Sequence, residues 1–200
     1  MVGGGGDGDA FSGNAGGSGH VVYSEQDMVG VNDATKLSLE IGADGNFGTA
    51  GESTIVLDVS TGDTLAVAEG GGGGSDDEVS GGAGYSGGGG GSTTEYPGGD
   101  GGSDGGDGEH SPFSSDGGQG SGVDLSSFQF QYFTLRPGAG GQGEYNRGGG
   151  GGGVVVTDYQ GLVRAGTRGR GDGVTDGEGY GAGSGNGWGE KGLILLEIVQ

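Results

Sequence analysis

Apolar residues along this chain gather into short runs separated by glycine-rich text, and the pattern inside the runs is that of β-strands. The runs are residues 20–23 (HVVY), 35–41 (TKLSLEI), 53–59 (STIVLDV), 64–68 (TLAVA), 128–135 (FQFQYFTL), 154–157 (VVVT) and 193–199 (LILLEIV). In the second, Leu37, Leu39 and Ile41 alternate with Lys36, Ser38 and Glu40, the period-two pattern of a half-buried strand. Phe128, Phe130 and Tyr132 alternate with Gln129 and Gln131 in the same way, and no stretch sustains a helical period. Asp44-Gly45 and Thr61-Gly62-Asp63 stand between runs and read as turns, because Asp and Gly supply the backbone conformations a tight reversal needs. The pattern predicts a β-meander over about 20–68 and a closing strand at 193–199.

Glycine changes that picture. It occupies 62 of the 200 positions while only 28% of residues are hydrophobic, so side-chain burial alone is a thin source of stability for a backbone that is costly to order. The tracts at 70–74, 87–91, 97–108 and 148–153 read singly as flexible linkers, yet they recur, each close to a short strand or an aromatic cluster. That recurrence favours packing of polyproline-II-like rods. Such a helix has three residues per turn and no internal hydrogen bonds, so its N–H and C=O groups must be satisfied by neighbours or water. With hydrogen as the side chain, adjacent rods approach closely enough to bond one another. Collagen is excluded, since no strict Gly-X-Y period runs for any length and only 3 prolines are present. The fold expected is therefore a single glycine-rich domain over 1–200, mainly β, with a polyglycine-II (polyproline-II-like) helix bundle over about 70–192 bracketed by short strands, and little or no α-helix.

Charge narrows the partners. The chain carries 28 acidic against 7 basic residues, a formal net charge of -21. Nucleic acid needs a basic surface and is excluded as a partner; anionic membranes are disfavoured likewise, and no run approaches a membrane span. Cysteine is absent, which removes disulfides and thiolate metal sites. Residues 1–20 lack the apolar stretch of a signal peptide, so a secreted protein would be represented here by a mature form or a fragment.

The densest candidate site is Asp100, Asp104, Asp107 and Glu109, carboxylates spaced by glycine and serine. Calcium takes six to eight oxygen ligands in adaptable geometry, which such a segment suits; the plainer alternative is a solvated acidic loop, and the spacing matches neither the EF-hand nor the nonapeptide calcium repeat. Asp7-Gly8-Asp9 and Asp76-Asp77-Glu78 are weaker instances. Catalysis has little to draw on: the histidines are His20 and His110, and nucleophilic chemistry needs a base held beside the nucleophile. No catalytic residue is assigned, and a non-enzymatic protein is expected. Gly-x-Gly-x-x-Gly matches arise by chance at this composition, and none leads into a Walker lysine or a helix. Arg170-Gly171-Asp172 spells a cell-attachment tripeptide, with chance as the simpler explanation. Phe11, Tyr85, Tyr96, Phe113, Tyr145, Tyr159, Tyr180 and Trp188 punctuate the glycine text, suited to sealing rod ends or, secondarily, to lining a flat groove.

The ordered set Tyr85-Ser-Gly-Gly-Gly-Gly, Tyr96-Pro-Gly-Gly-Asp-Gly-Gly-Ser-Asp-Gly-Gly-Asp-Gly-Glu109, Leu135-Arg-Pro-Gly-Ala-Gly-Gly141, residues 148–156, Gly177-Glu-Gly-Tyr-Gly-Ala-Gly183 and Gly192-Leu-Ile-Leu-Leu-Glu-Ile198 resembles glycine-rich proteins of marine invertebrates. More distantly the chain is similar to the glycine-rich extracellular domain of anaplastic lymphoma kinase receptors, which implies packed polyglycine helices and an extracellular setting. The receptor domain's ligand-binding residues find no matching positions. Related modules usually begin with a further β-segment, whereas this chain starts at Met1-Val2-Gly3; a missing strand would leave an edge able to pair with another chain. The leading expectation is an extracellular structural or assembly module that self-associates or joins related glycine-rich chains. The alternatives are a carrier of an extended apolar ligand such as a carotenoid pigment and, from the likeness of flat polyglycine faces to those of snow-flea antifreeze proteins, an ice- or glycan-binding surface.

Overall fold

The structure is a computed structural model that describes residues 1–8, 15–22, 36–46, 48–74, 82, 84, 125, 130–141, 149–164, 177–185 and 188–196. Its regular elements are six short strands in two antiparallel sheets, and no α-helix occurs among the described residues. The first sheet is a meander of β1 (Leu37–Glu40), β2 (Thr54–Asp58) and β3 (Thr64–Ala68). Leu39 pairs with Val56 and Val56 with Ala66, with a register shift between Val56 and Leu57. The second sheet joins β4 (Phe133–Pro137), β5 (Val154–Asp158) and β6 (Val163–Arg164) in that order.

Both inner hairpins close on the same device. In the β2–β3 connection Asp58 Oδ1 accepts from the Ser60 N–H and the Asp58 carbonyl accepts from the Gly62 N–H. In the β5–β6 connection Asp158 Oδ1 accepts from Gln160 and Leu162, and the Asp158 carbonyl accepts from the Gly161 N–H. Gly62 and Gly161 sit at φ of 79° and 77°, a left-handed conformation that costs other residues roughly 1–2 kcal/mol.

The predicted strands at 35–41, 53–59, 64–68 and 154–157 correspond to β1, β2, β3 and β5. The run at 128–135 is displaced: β4 begins at Phe133 and reaches Pro137 because its partners on β5 are Asp158 through Val154. Proline lacks an N–H, which the outer position of β4 tolerates. Runs 20–23 and 193–199 contribute bridges rather than strands among the described residues: Val2 pairs antiparallel with Val21 on one side and Leu193 on the other. Asp44-Gly45 is not the reversal between β1 and β2. The chain reverses at Asn46 to Thr49, where Thr49 Oγ1 and Asn46 bond each other, while Gly45 donates to the carbonyl of Gly5.

Between the sheets the glycine segments are joined by backbone hydrogen bonds with a period of three. The N–H groups of Val2, Gly3 and Gly4 donate to the carbonyls of Leu193, His20 and Glu52; those of Gly5, Gly6 and Asp7 donate to Glu190, Gly17 and Thr49. Each neighbour is therefore met again after three residues, and each partner has stepped back by three, so these neighbours run antiparallel to residues 2–7. Gly71 and Gly74 donate to Gly4 and Asp7, which makes residues 71–74 a parallel neighbour. The same three-residue step relates Gly16 and Gly19 to Ser184 and Gly181, Gly17 and His20 to Gly72 and Glu69, and Gly138 and Gly141 to Gly153 and Gly150.

A second set of directions is occupied as well. A Cβ built at Gly3 would run into Glu69 O, at Gly4 into Ala43 O, at Gly5 into Ala182 O and at Gly6 into Gly72 O, all inside the 3.0 Å limit that real Cβ atoms respect. Gly3 and Gly6 thus face one neighbouring segment, and Gly4 and Gly5 face two others. In a β-strand Gly3 and Gly5 would share a side; here the repeat is three.

The apolar core is small and lies where this array meets the second sheet. Val2, Leu125, Val154 and Val156 are buried together, with Val21, Phe133, Leu135, Tyr180, Leu193 and Leu195 packed around them. Arg136 makes a two-pronged ion pair with Glu178, at 2.9 and 3.3 Å, tying β4 to residues 177–185. The α-amino group of Met1 donates to the Val22 carbonyl, and its burial lowers its pKa from 8.0 to about 6. No helix among the described residues is long and apolar enough to cross a membrane.

Candidate functional site

The acidic set Asp100, Asp104, Asp107 and Glu109 lies outside the described residues, as do Asp9, His110, the Arg170-Gly171-Asp172 tripeptide and Asp76-Asp77-Glu78. Among the described residues no group of three or more His, Asp or Glu side chains could hold a metal ion. Asp7 is buried at the end of the central glycine segment, and its amide is bonded to Thr49 O. His20 is an exposed residue whose backbone serves the array, accepting from Gly3 and donating to Glu69.

A different set of side chains comes together at the edge of the core. A cavity of about 440 Å³ opens on the face of the second sheet that carries Phe133, Val156 and Asp158. Phe133 and Asp158 are direct cross-strand partners and therefore stand side by side on one face, with Val156 two residues away on the same side. Tyr180, whose backbone bonds Val154 in both directions, also lines it, together with Leu193 and Leu195 from the segment that bridges Val2. Tyr132 and Tyr159 complete the rim as an edge-to-face pair with centroids 6.2 Å apart at 80°, and their exposures of 49% and 73% mark the solvent end. Phe130 and Phe133 form a second edge-to-face pair at 6.5 Å, which fixes the Phe133 ring.

Among the described residues of the lining Asp158 is the charged one. Its carboxylate is held in one orientation by the turn, through the amides of Gln160 and Leu162 at 3.0 and 2.9 Å. The Tyr159 hydroxyl accepts from Gln160 Nε2 at 3.2 Å. The site combines aliphatic walls, aromatic faces and one oriented carboxylate, a composition suited to holding a molecule.

Of the aromatics singled out in the sequence, Tyr159 and Tyr180 belong to this cavity, and Trp188 donates from Nε1 to Asn46 Oδ1; Phe11, Tyr85, Tyr96, Phe113 and Tyr145 lie outside the described residues. Pattern reading did not identify Asp158, nor group Tyr132 with Tyr159 and Tyr180. The available signal was the repeated Asp-to-Gly turn at 58–62 and 158–161, which marks a second hairpin and hence the return of the chain beside β5. Comparison of the chain with protein-family models, with curated proteins and with solved structures finds no match to any of them.

Proposed function

We propose that the glycine segments form a bundle of polyglycine-II rods and that the protein is an extracellular, non-enzymatic structural module that assembles with copies of itself or with related glycine-rich chains. The observation that carries this reading is the three-residue recurrence of hydrogen-bond partners along residues 2–7, which matches the three residues per turn of a polyproline-II-like helix. All six of these amides donate to residues remote in sequence, as expected for a helix without internal bonds. Exposed apolar residues on the sheets, among them Leu39, Val67 and Val163, supply surface for association. The acidic run ending at Glu109 supplies calcium ligands that would lessen repulsion between chains of net charge -21.

Size-exclusion chromatography over a range of concentrations, with calcium and with chelator, tests the assembly reading. Apparent mass is expected to grow with concentration and with calcium. A monomer of 19.1 kDa under every condition contradicts it.

A second reading, carriage of an apolar ligand, is favoured by the cavity between β4, β5 and residues 180–195. Its volume of about 440 Å³ lies in the range typical of small-molecule sites, roughly 300–1,000 Å³. An extended polyene of the carotenoid kind would place one end inside and continue over the surface.

A further inference from the structure

Resting on the assembly reading, we propose that the chain pairs with a second copy of itself along the outer edge of β1, antiparallel about a twofold axis at Ser38, with Lys36 of each copy opposite Glu40 of the other. The edge comes first. β1 stands at the end of its sheet, with β2 on its inner side. The Val59 N–H bonds the Lys36 carbonyl, in the register that sets Leu37 against Asp58. Bonded and non-bonded pairs alternate along an antiparallel ladder, so Ser38 and Glu40 also bond toward β2, while the N–H and C=O groups of Leu37 and Leu39 point away from it. Lys36, Leu39, Glu40 and Ile41 are exposed. An edge of this kind accepts a further strand.

Pattern and charge name that strand. Residues 36–40 read Lys-Leu-Ser-Leu-Glu, and the segment laid antiparallel over itself about Ser38 sets leucine on leucine, serine on serine and lysine on glutamate. Backbone geometry allows this register. Leu37 meets the copy's Leu39, both with outward groups, and the two exchange both N–H···O bonds; Lys36 meets the copy's Glu40 as a non-hydrogen-bonded pair, whose Cα atoms are about 4.5 Å apart. Opposite charges so placed attract, and like charges repel. A shift by one pleat in either direction would set Ser38 opposite a charged residue and undo both ion pairs. Leu39, 47% exposed and paired with Val56, would be covered in part by the copy's Leu37, so the apolar face runs on from one three-stranded sheet into the other. A lysine on an edge strand guards against foreign strands; here Glu40 admits the copy. Two chains of net charge -21 repel as wholes, but residues 36–40 are locally neutral, so contact there adds least to that repulsion. The far edge of the sheet offers no such match. Glu69, just beyond β3, already accepts from the His20 N–H, and a copy laid antiparallel about Ala66 would set Asp63 against Glu69.

Sedimentation equilibrium of the full chain, over concentrations reaching the millimolar at fixed salt and calcium, tests the pairing through two charge reversals. Wild type is expected to approach a dimer. Lys36→Glu brings carboxylates together at both ends of the pairing and Glu40→Lys brings ammonium groups together, so either variant alone should dimerise about tenfold more weakly or worse. Mixed in equal amounts, the two variants should form a heterodimer of about wild-type strength, because each supplies the charge the other lacks. Both side chains are exposed, so the Tm of the dilute monomer should not change. Amide exchange adds a readout that needs no variant: Leu37 and Leu39 should become protected as wild-type concentration rises, while Ser38 and Glu40, bonded to β2, are protected throughout. A wild type that stays monomeric at every concentration removes the assembly reading and the proposal together. Association that survives both single reversals, a mixture no stronger than either variant alone, or Leu37 and Leu39 amides left unprotected in the associated state overturns the proposal while the assembly reading stands.

Discussion

Gly5→Ala is expected to lower the thermal stability sharply, although it adds a single methyl group. In a flexible glycine linker the same change would be neutral or would stabilise by about 0.4–1 kcal/mol, because alanine restricts the unfolded chain. Here the added Cβ meets the Ala182 carbonyl, and the backbone has no free direction in which to retreat. The Gly5 N–H is bonded to Glu190 O at 2.7 Å and the Gly5 carbonyl to Gly45 N at 2.8 Å. Relief requires separating segments that are bonded to each other as well as to residue 5, so the cost should exceed about 4 kcal/mol, the range reached when a packed interior is broken. For a chain of this length about 1 kcal/mol corresponds to roughly 2–4 °C in Tm, so a fall of about 8 °C or more is expected in thermal unfolding followed by circular dichroism. Gly62→Ala is the matched control: nothing lies within 4 Å of its Cβ, and its φ of 79° limits the loss to about 1–2 kcal/mol. Equal, small effects of the two substitutions would contradict the packed array.

Thr54→Val should have the next largest effect, for a polar reason. Thr54 is fully buried, and its Oγ1 accepts the Gly42 N–H at 3.0 Å, which couples the first sheet to the glycine segments beside it. Gly42 O in turn accepts from Gly192. Valine keeps the shape and deletes the acceptor, leaving a buried N–H without a partner at a cost of about 1–3 kcal/mol. Thr54→Ser retains the hydroxyl and loses a methyl group, worth about 1 kcal/mol. Urea unfolding should therefore rank wild type above Ser and Ser above Val. Valine as stable as wild type would mean that this bond carries no weight.

What could be read from sequence follows from the range of the interactions involved. The first meander was legible because alternation and turn chemistry are local: Thr64 to Ala68 forms β3 over the predicted residues, and the reversal at Gly62 follows its Asp and Gly. The exposure of its residues was less legible. Leu39 and Ile41 alternate as a buried face would, yet they are 47% and 56% exposed, because burial depends on what lies over the sheet. Strand β4 was found but misplaced, since its limits are set by the register with Val154 and its neighbours and not by its own pattern. The misassigned turn at Asp44-Gly45 has a similar cause. An Asp-Gly pair supports a reversal, but Gly45 is instead drawn into the array by its bond to Gly5 O, and the reversal moves to Asn46 and Thr49.

The glycine segments illustrate the same limit from the other side. Their packing could be argued from recurrence, and residues 70–74 and 149–153 of the expected tracts do bond to other glycine segments, while 87–91 and 97–108 lie outside the described residues. Among the described residues the segment with bonded neighbours on the most sides, 2–7, had no feature that set it apart from other short glycine runs. Which segment is central depends on how many others surround it, a property of the fold that no local pattern records. The cavity was hidden for the same reason, because Tyr132, Asp158, Tyr180 and Leu195 share no sequence neighbourhood.

The central claim is that consecutive glycines here are each bonded to a different neighbour in a three-residue cycle. Amide hydrogen exchange read residue by residue over positions 2–7 tests it most directly. Six consecutive protected amides, Val2 through Asp7, exchanging only through global unfolding, are predicted from their bonds to Leu193, His20, Glu52, Glu190, Gly17 and Thr49. Exchange of Gly3 to Gly6 at the rates of an unstructured chain, or protection only at alternate positions as along a sheet edge, would contradict it.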